Sequence, residues 1–151
     1  MTCSRVIQLR TTDDEWRPMM TTSRIQSQMS QRMDECVQNC LDCYRACLAT
    51  VPHCLNRGGV HASQDHITML LECAELCQTS ARLMLLQSTI HADACRVCAK
   101  ACDNCADNCR SMATGDAKML NCAETCSRCA KTCAGMAAMS HLSWQLSDKT
   151  H

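Results

Sequence analysis

The chain has no phenylalanine, one tyrosine and two tryptophans in 151 residues. Aromatic rings usually supply much of a core's volume, so whatever fills this interior is something else. Glycine (4) and proline (2) are scarce as well, and no alternating β-branched run appears. Together these absences exclude the turn-dense pattern of an all-β sandwich or barrel. Fifteen basic residues balance fifteen acidic ones, leaving no net field to gather nucleic acid or anionic lipid. The longest apolar stretch, "LMLLQSTI" from Leu83, falls far short of the roughly 20 residues that cross a bilayer. The opening "MTCSRVIQLRTTDDEWRPMM" has no apolar run leading to a small-residue cleavage site, so no secretory signal is read there. The expected location is the cytosol, with neither nucleic acid nor membrane as a partner.

What the chain does have is 17 cysteines and 11 methionines. In a reducing compartment such a count points to metal binding or redox chemistry before disulfides. The spacing is regular. "CRVCAKACDNCADNC", Cys95 to Cys109, steps by three and four, the rhythm of inward positions on an amphipathic helix. One frame, C-x3-C-x2-C-x3-C, recurs as "CVQNCLDCYRAC", "CAKACDNCADNC" and "CAETCSRCAKTC".

Four helices follow from this periodicity. The first spans about 27–55, with Met29, Met33, Cys36, Cys40, Cys43, Cys47 and Cys54 on one stripe, and Pro52 is expected to kink or end it. The second starts at Ser63 as N-cap, with Asp65 in its first turn, and runs to about Gln87. His66, Leu70, Cys73, Cys77, Ala81 and Met84 share its inner face, and Leu83 and Leu86 read as ordinary packing. The third covers about 92–113. "TGD" breaks it, with Gly115 as the residue past its end and Asp116 capping a fourth helix over about 117–142. The expected organisation is an irregular lead-in (1–26), a Cys-rich bundle (27–142) and a polar tail (143–151). Short connections make it an all-α, antiparallel up-down-up-down four-helix bundle with a Cys-lined core.

Three roles for the thiols can be weighed. As plain core residues they are too small, and facing cysteines on four helices are expected to leave a void. As disulfides they are odd in number, and cysteines three or four apart on one helix face meet S–S geometry poorly. Metal binding remains. Zinc sites close at four ligands, commonly from pairs at turns, whereas these cysteines continue mid-helix without pause. Four thiolates around Zn2+ also leave a buried double negative charge, whereas a soft monovalent ion neutralises one thiolate each. Cu(I), with its preference for thiolate and thioether, is such an ion. A zinc or general soft-metal reservoir, or a thiol redox protein built on one C-x2-C pair, stays open as the alternative; the latter wants a low-pKa cysteine at a helix N-terminus.

Up-down topology gathers Cys54, His66, Cys109, Met112, Met119 and Cys122 at one end. Thioether and imidazole need no deprotonation, so His66, Met112 and Met119 are candidate ligands beside the thiols. The opposite end gathers Met29, Met33, Met84, Cys95 and Met136, where plugging of the core is expected. His53, His61 and His91 are expected to face solvent, as are Lys100, Asp103, Asp107, Arg128 and Lys131.

Taken in order, "CVQNCLDCYRAC", "LLECAELC", "CRVCAKACDNCADNC" and "CAETCSRCAKTC" resemble the bacterial four-helix-bundle copper storage proteins, in particular their cytosolic members, over roughly residues 33–136. The resemblance implies a homotetramer, several Cu(I) ions inside each bundle, and storage rather than catalysis. A copper chaperone or small thiols would be the exchange partners. It places the ligands at Cys36, Cys40, Cys43, Cys47, Cys54, Cys73, Cys77, Cys95, Cys98, Cys102, Cys105, Cys109, Cys122, Cys126, Cys129 and Cys133. The chain departs from the family where "LATV" follows Cys47 without a further cysteine, where His66 replaces a cysteine, and where Met112 and Met119 replace histidines of some relatives. Cys3 falls outside the pattern.

Overall fold

A computed structural model describes the backbone over residues 17–147 and the side chains over 22–139. Four helices account for it: α1 (Arg17–Arg57), α2 (Gln64–Leu85), α3 (His91–Met112) and α4 (Ala117–Ser147), with a 3-10 turn at Gly59–Ala62. The chain divides into two compact units, Met1–Gln31 and Arg32–His151. In the first, the described side chains from Thr22 on are all exposed, Met29 included at 44%. Met29 is therefore not a core residue, against expectation. Cys3 lies outside the described residues, as does the Trp144 side chain.

The second unit carries the bundle, and its topology can be read from sulfur contacts. Moving up α1, Cys36, Cys40, Cys43 and Cys47 meet Cys133, Cys129, Cys126 and Cys122 in turn, so α1 and α4 run antiparallel. Cys73 meets Cys102 and Cys77 meets Cys98, so α2 and α3 do the same. Cys43 against Cys73 and Cys54 against His66 make α1 and α2 antiparallel as well. The up-down-up-down bundle stands as expected.

The expected void does not. Along the column the sulfurs approach to 3.4–4.0 Å, which is contact distance. The reason is the residues that flank them. Ala74, Ala81, Ala99, Ala106, Ala123 and Ala130 are all buried, and with side chains this small at the helix contacts, the axes draw together until thiol meets thiol. Leu70, Met84 and Met119 supply the larger buried volumes. Leu41, Tyr44, Val51, Ile67, Met69 and Leu76 pack on the core from part-buried positions.

Helix ends differ from the sequence reading in four places. α1 starts at Arg17, not near Ser27. Pro18 sits in its first turn, where the missing N–H has no intrahelical partner to lose. α1 also passes through Pro52 and ends at Arg57. Tertiary contacts hold that last turn: Cys54 is fully buried, and Arg57 is ion-paired. α4 continues beyond Leu142 to Ser147. Leu86 lies just past α2 and is 73% exposed, so it packs nothing. Ser63 caps α2 as expected, its hydroxyl accepting the His66 N–H at 3.4 Å.

Gly115 takes φ +71°, a left-handed turn that favours glycine, and Asp116 then opens α4. Asp116 Oδ1 accepts the N–H groups of Lys118 (3.0 Å) and Met119 (3.3 Å). Its Oδ2 binds Arg57 Nη1 at 2.6 Å and His53 Nε2 at 2.8 Å. One carboxylate thus caps α4 and ties it to the last turns of α1, so His53 is a structural partner rather than a solvent-facing residue. His91 likewise bonds, through Nδ1, to the Ser88 carbonyl at 2.7 Å. His61 is half-buried.

The hydrogen bond with His53, helped by the Met119 and Lys118 N–H groups and opposed by burial, holds the Asp116 carboxyl down at about 2, against an ordinary 3.8. A carboxyl whose folded pKa is depressed stabilises the fold above its unfolded pKa and loses that contribution as pH falls through the folded one. Asp116→Ala is expected to cost the metal-free, reduced protein about 1–2 kcal/mol at neutral pH. Urea unfolding followed by far-UV circular dichroism should show the gap between wild type and variant holding down to about pH 4 and shrinking from there towards pH 2.

Candidate metal centre

Sixteen cysteines fall within the described residues, and all are buried and free. Neither of the alternatives that would have undone the metal reading, thiols splayed to solvent or thiols joined in disulfides, is what these residues show. The stripes converge because each helix repeats the same three-and-four step, which keeps successive sulfurs on one face.

The thiols form overlapping groups rather than separate sites. Cys40, Cys98, Cys129 and Cys133 have their Sγ atoms within 4.8 Å of one another, and so do Cys77, Cys98, Cys102 and Cys129. Cys43 belongs both to a group with Cys73, Cys77 and Cys102 and to one with Cys47, Cys73 and Cys126. Cys47, Cys105, Cys122 and Cys126 make a further one. Every neighbouring pair of these groups shares sulfur. Separate four-thiolate sites, the usual closed arrangement for zinc, are not what these overlapping groups offer. Monovalent ions bridged by shared thiolates suit them, and the charge closes at one thiolate per ion.

Without metal the column is a hydrogen-bonded thiol network. The bond with Cys102 pulls the Cys73 and Cys129 thiols below the ordinary range, against the effect of burial. Cys102 is itself pushed up by its bond to Cys129, and Cys47 by its bond to Cys105. A thiol that donates keeps its proton while one that accepts ionises more readily, and both kinds occur along the column. Cys54 is pushed up chiefly by burial and next by the negative charge of Asp116.

The other predicted ligands divide. His66 (2% exposed) and Met119 (0%) both reach Cys54. His66 Nε2 lies 3.3 Å and Met119 Sδ 3.5 Å from Cys54 Sγ. Met112 packs on the core from a half-buried position, and among the described residues the contacts that join Cys54, His66 and Met119 run without it. At the other end Met84 and Met136 are buried, as plugging requires. The turn after Cys47, where the family pattern has a further cysteine, is filled by Thr50. It is 1% exposed, and its hydroxyl bonds back to the Ala46 carbonyl at 2.7 Å, so it turns no donor to the column. Sequence reasoning missed Asn108, whose Oδ1 lies 2.5 Å from His66 Nδ1. It is one of the polar residues between cysteines in "CADNC", and nothing local to α3 marks it out.

Donor type, charge and overlap fit soft monovalent ions. A four-helix bundle with such an interior belongs to the class of helical proteins that hold several metal ions inside the fold. The sequence pattern of the copper storage proteins (Csp) matches residues 29–138. The chain belongs to the copper storage protein family. A solved protein of Nitrosospira multiformis is 41% identical, with a TM-score of 0.69, over 73% of this chain and 98% of that one. The Cu(I)-bound copper storage protein BsCsp3 of Bacillus subtilis is 28% identical, with a TM-score of 0.65, over 70% of this chain and 98% of that one. A cytosolic copper storage protein from Streptomyces lividans, solved with five coppers, is 27% identical, with a TM-score of 0.67, over 72% of this chain and 93% of that one. A cysteine-rich protein of Bacillus subtilis is 30% identical over 71 residues, which span 47% of this chain and 66% of that relative's length.

Shared corners carry a consequence for stoichiometry. Cys43→Ser, which opens two groups at once, should lower the Cu(I) bound at saturation by more than one ion. Cys54→Ser, outside the shared groups, should lower it by one. Both are read by metal analysis after anaerobic gel filtration.

Proposed function

We propose that this protein stores Cu(I), holding several ions by the thiolates that line its interior, and that it does so in the cytosol. The observation that carries the proposal is the set of overlapping, fully buried groups of free cysteines, a continuous soft-sulfur lining that suits bridged Cu(I) ions. The sixteen cysteines of the four stripes are the proposed ligands, with His66 and Met119 completing the set at the Cys54 end and Met112 close by. Ions held this way have no role as a reaction centre. A redox enzyme would need one reachable, activated thiol near a helix N-terminus, whereas these are buried mid-helix. Supply and withdrawal of copper fit a thiol-bearing carrier, either a copper chaperone or a small thiol, by exchange of one thiolate for another. Assembly as a homotetramer is the further expectation that family membership brings.

Anaerobic titration with Cu(I) against a competing chelator, with free thiols counted at each step, tests this. Uptake should approach the number of cysteines, and thiol reactivity should fall in step with it. Binding of only a few ions, or displacement of Cu(I) by modest zinc, would overturn the proposal in favour of a zinc reservoir or a redox protein.

Protons provide a second test. Burial pushes Cys54 up, and the thiols that donate within the column also hold their protons at neutral pH. Copper must displace those protons, so loading in weak buffer should acidify the solution, and the apparent affinity should fall as pH falls. A pH-stat record alongside the titration checks both.

A further inference from the structure

Cys54 stands apart from the other buried cysteines in its surroundings. Cys43 and Cys47 lie among further thiols. Cys54 instead has an imidazole nitrogen at 3.3 Å and a thioether at 3.5 Å. On two of the four helices a turn without sulfur lies between this trio and the column: Thr50 on α1, between Cys47 and Cys54, and Leu70, 0% exposed, on α2, between His66 and Cys73. On α3 and α4 the column comes up to Cys109 and Cys122. At contact distance Cys54 has one thioether and one ring nitrogen, and all three groups are buried.

An imidazole can bind a metal only through a bare nitrogen. A neutral ring has one N–H and one lone pair, and the partner of the first nitrogen decides which of them the second presents. His66 Nδ1 lies 2.5 Å from Asn108 Oδ1, an amide oxygen that can only accept. The proton therefore sits on Nδ1, and Nε2 turns its lone pair to Cys54. The backbone holds the ring's base as well, since the His66 N–H is bound by the Ser63 cap. Asn108 comes from the last turns of α3 and His66 from the first turn of α2, so the pairing exists only in the assembled bundle.

We infer that Asn108 is a positioning residue, and that by fixing the His66 tautomer it makes Cys54, His66 and Met119 a single-ion Cu(I) site distinct from the thiolate column. The inference rests on the copper-storage proposal for the identity of the ion. It adds a site whose charge closes differently. One thiolate and two neutral donors balance one monovalent ion, whereas a dication there would leave a buried positive charge. A thioether ligand also selects soft Cu(I) over zinc.

Long-range proton–nitrogen correlation spectra of the full chain, labelled with 15N-histidine, test it in the metal-free reduced state and after anaerobic Cu(I) loading. The metal-free wild type should show His66 protonated on Nδ1 and bare on Nε2, and loading should move Nε2 while Nδ1 keeps its proton. Asn108→Leu removes the acceptor and should abolish the single tautomer. It should also weaken Cu(I) at this site roughly 10–100-fold, the usual cost of losing such a partner, with total uptake lower by one ion at most. Asn108→Asp keeps an acceptor and should restore both. A proton on Nε2 in the wild type, with the Asn108 amide donating to Nδ1, would overturn the inference. So would an unchanged tautomer in Asn108→Leu, or high Cu(I) uptake with Nε2 unmoved. Low total uptake with Nε2 still shifting would overturn bulk storage and leave this site standing.

Discussion

Sulfur atoms in contact across four helices can share protons through hydrogen bonds, or they can be ionised and bridged by metal, but a thiolate left bare among them is costly. Most of the molecule follows from that constraint. A buried thiolate without a counter-charge is costly enough that the proton or the metal must always be present. The interior therefore has two neutral states, a thiol network and a metal-filled column, and the same side chains serve both. Shared sulfurs such as Cys43 and Cys98 belong to two groups at once, which suits soft ions bridged by thiolates.

The scaffold has to hold the thiols together in the state without metal, and cysteine contributes little volume for the purpose. Buried alanines let the helices close to sulfur contact. Leu41, Tyr44, Val51, Ile67 and Leu76 then cover the column from part-buried positions, so apolar packing lies around the sulfur as much as within it. A fully buried leucine such as Leu70 contributes roughly 1.5–3 kcal/mol, and the Asp116 clamp fixes α1 to α4 at one end.

Much of this was legible in the sequence because it is periodic. Three copies of one cysteine frame give the helix phase, and the caps at Ser63 and Asp116 are local signals that the structure keeps. Single residues whose role is set by another helix were not legible. Pro52 reads as a breaker, but the burial of Cys54 beyond it holds the turn. Leu86 reads as core and falls just past a helix end. His53 reads as surface and Asn108 is assigned no role, since their partners lie 63 and 42 residues away in sequence. The closed interior was misjudged for a related reason: counting cysteine volume at fixed helix spacing ignores that alanine lets the spacing shrink.

Ligands and scaffold therefore answer to acid at different points. Protons compete with copper for every thiolate at any pH below the thiol's own pKa, and those pKa values are high for Cys54, Cys47 and Cys102. The carboxylate that ties α1 to α4 keeps its charge until pH nears about 2. Between neutrality and that point, falling pH favours protons on the thiols while the charge of the clamp persists. That separation comes from placing the titrating thiols inside the column and the clamping charge at its end.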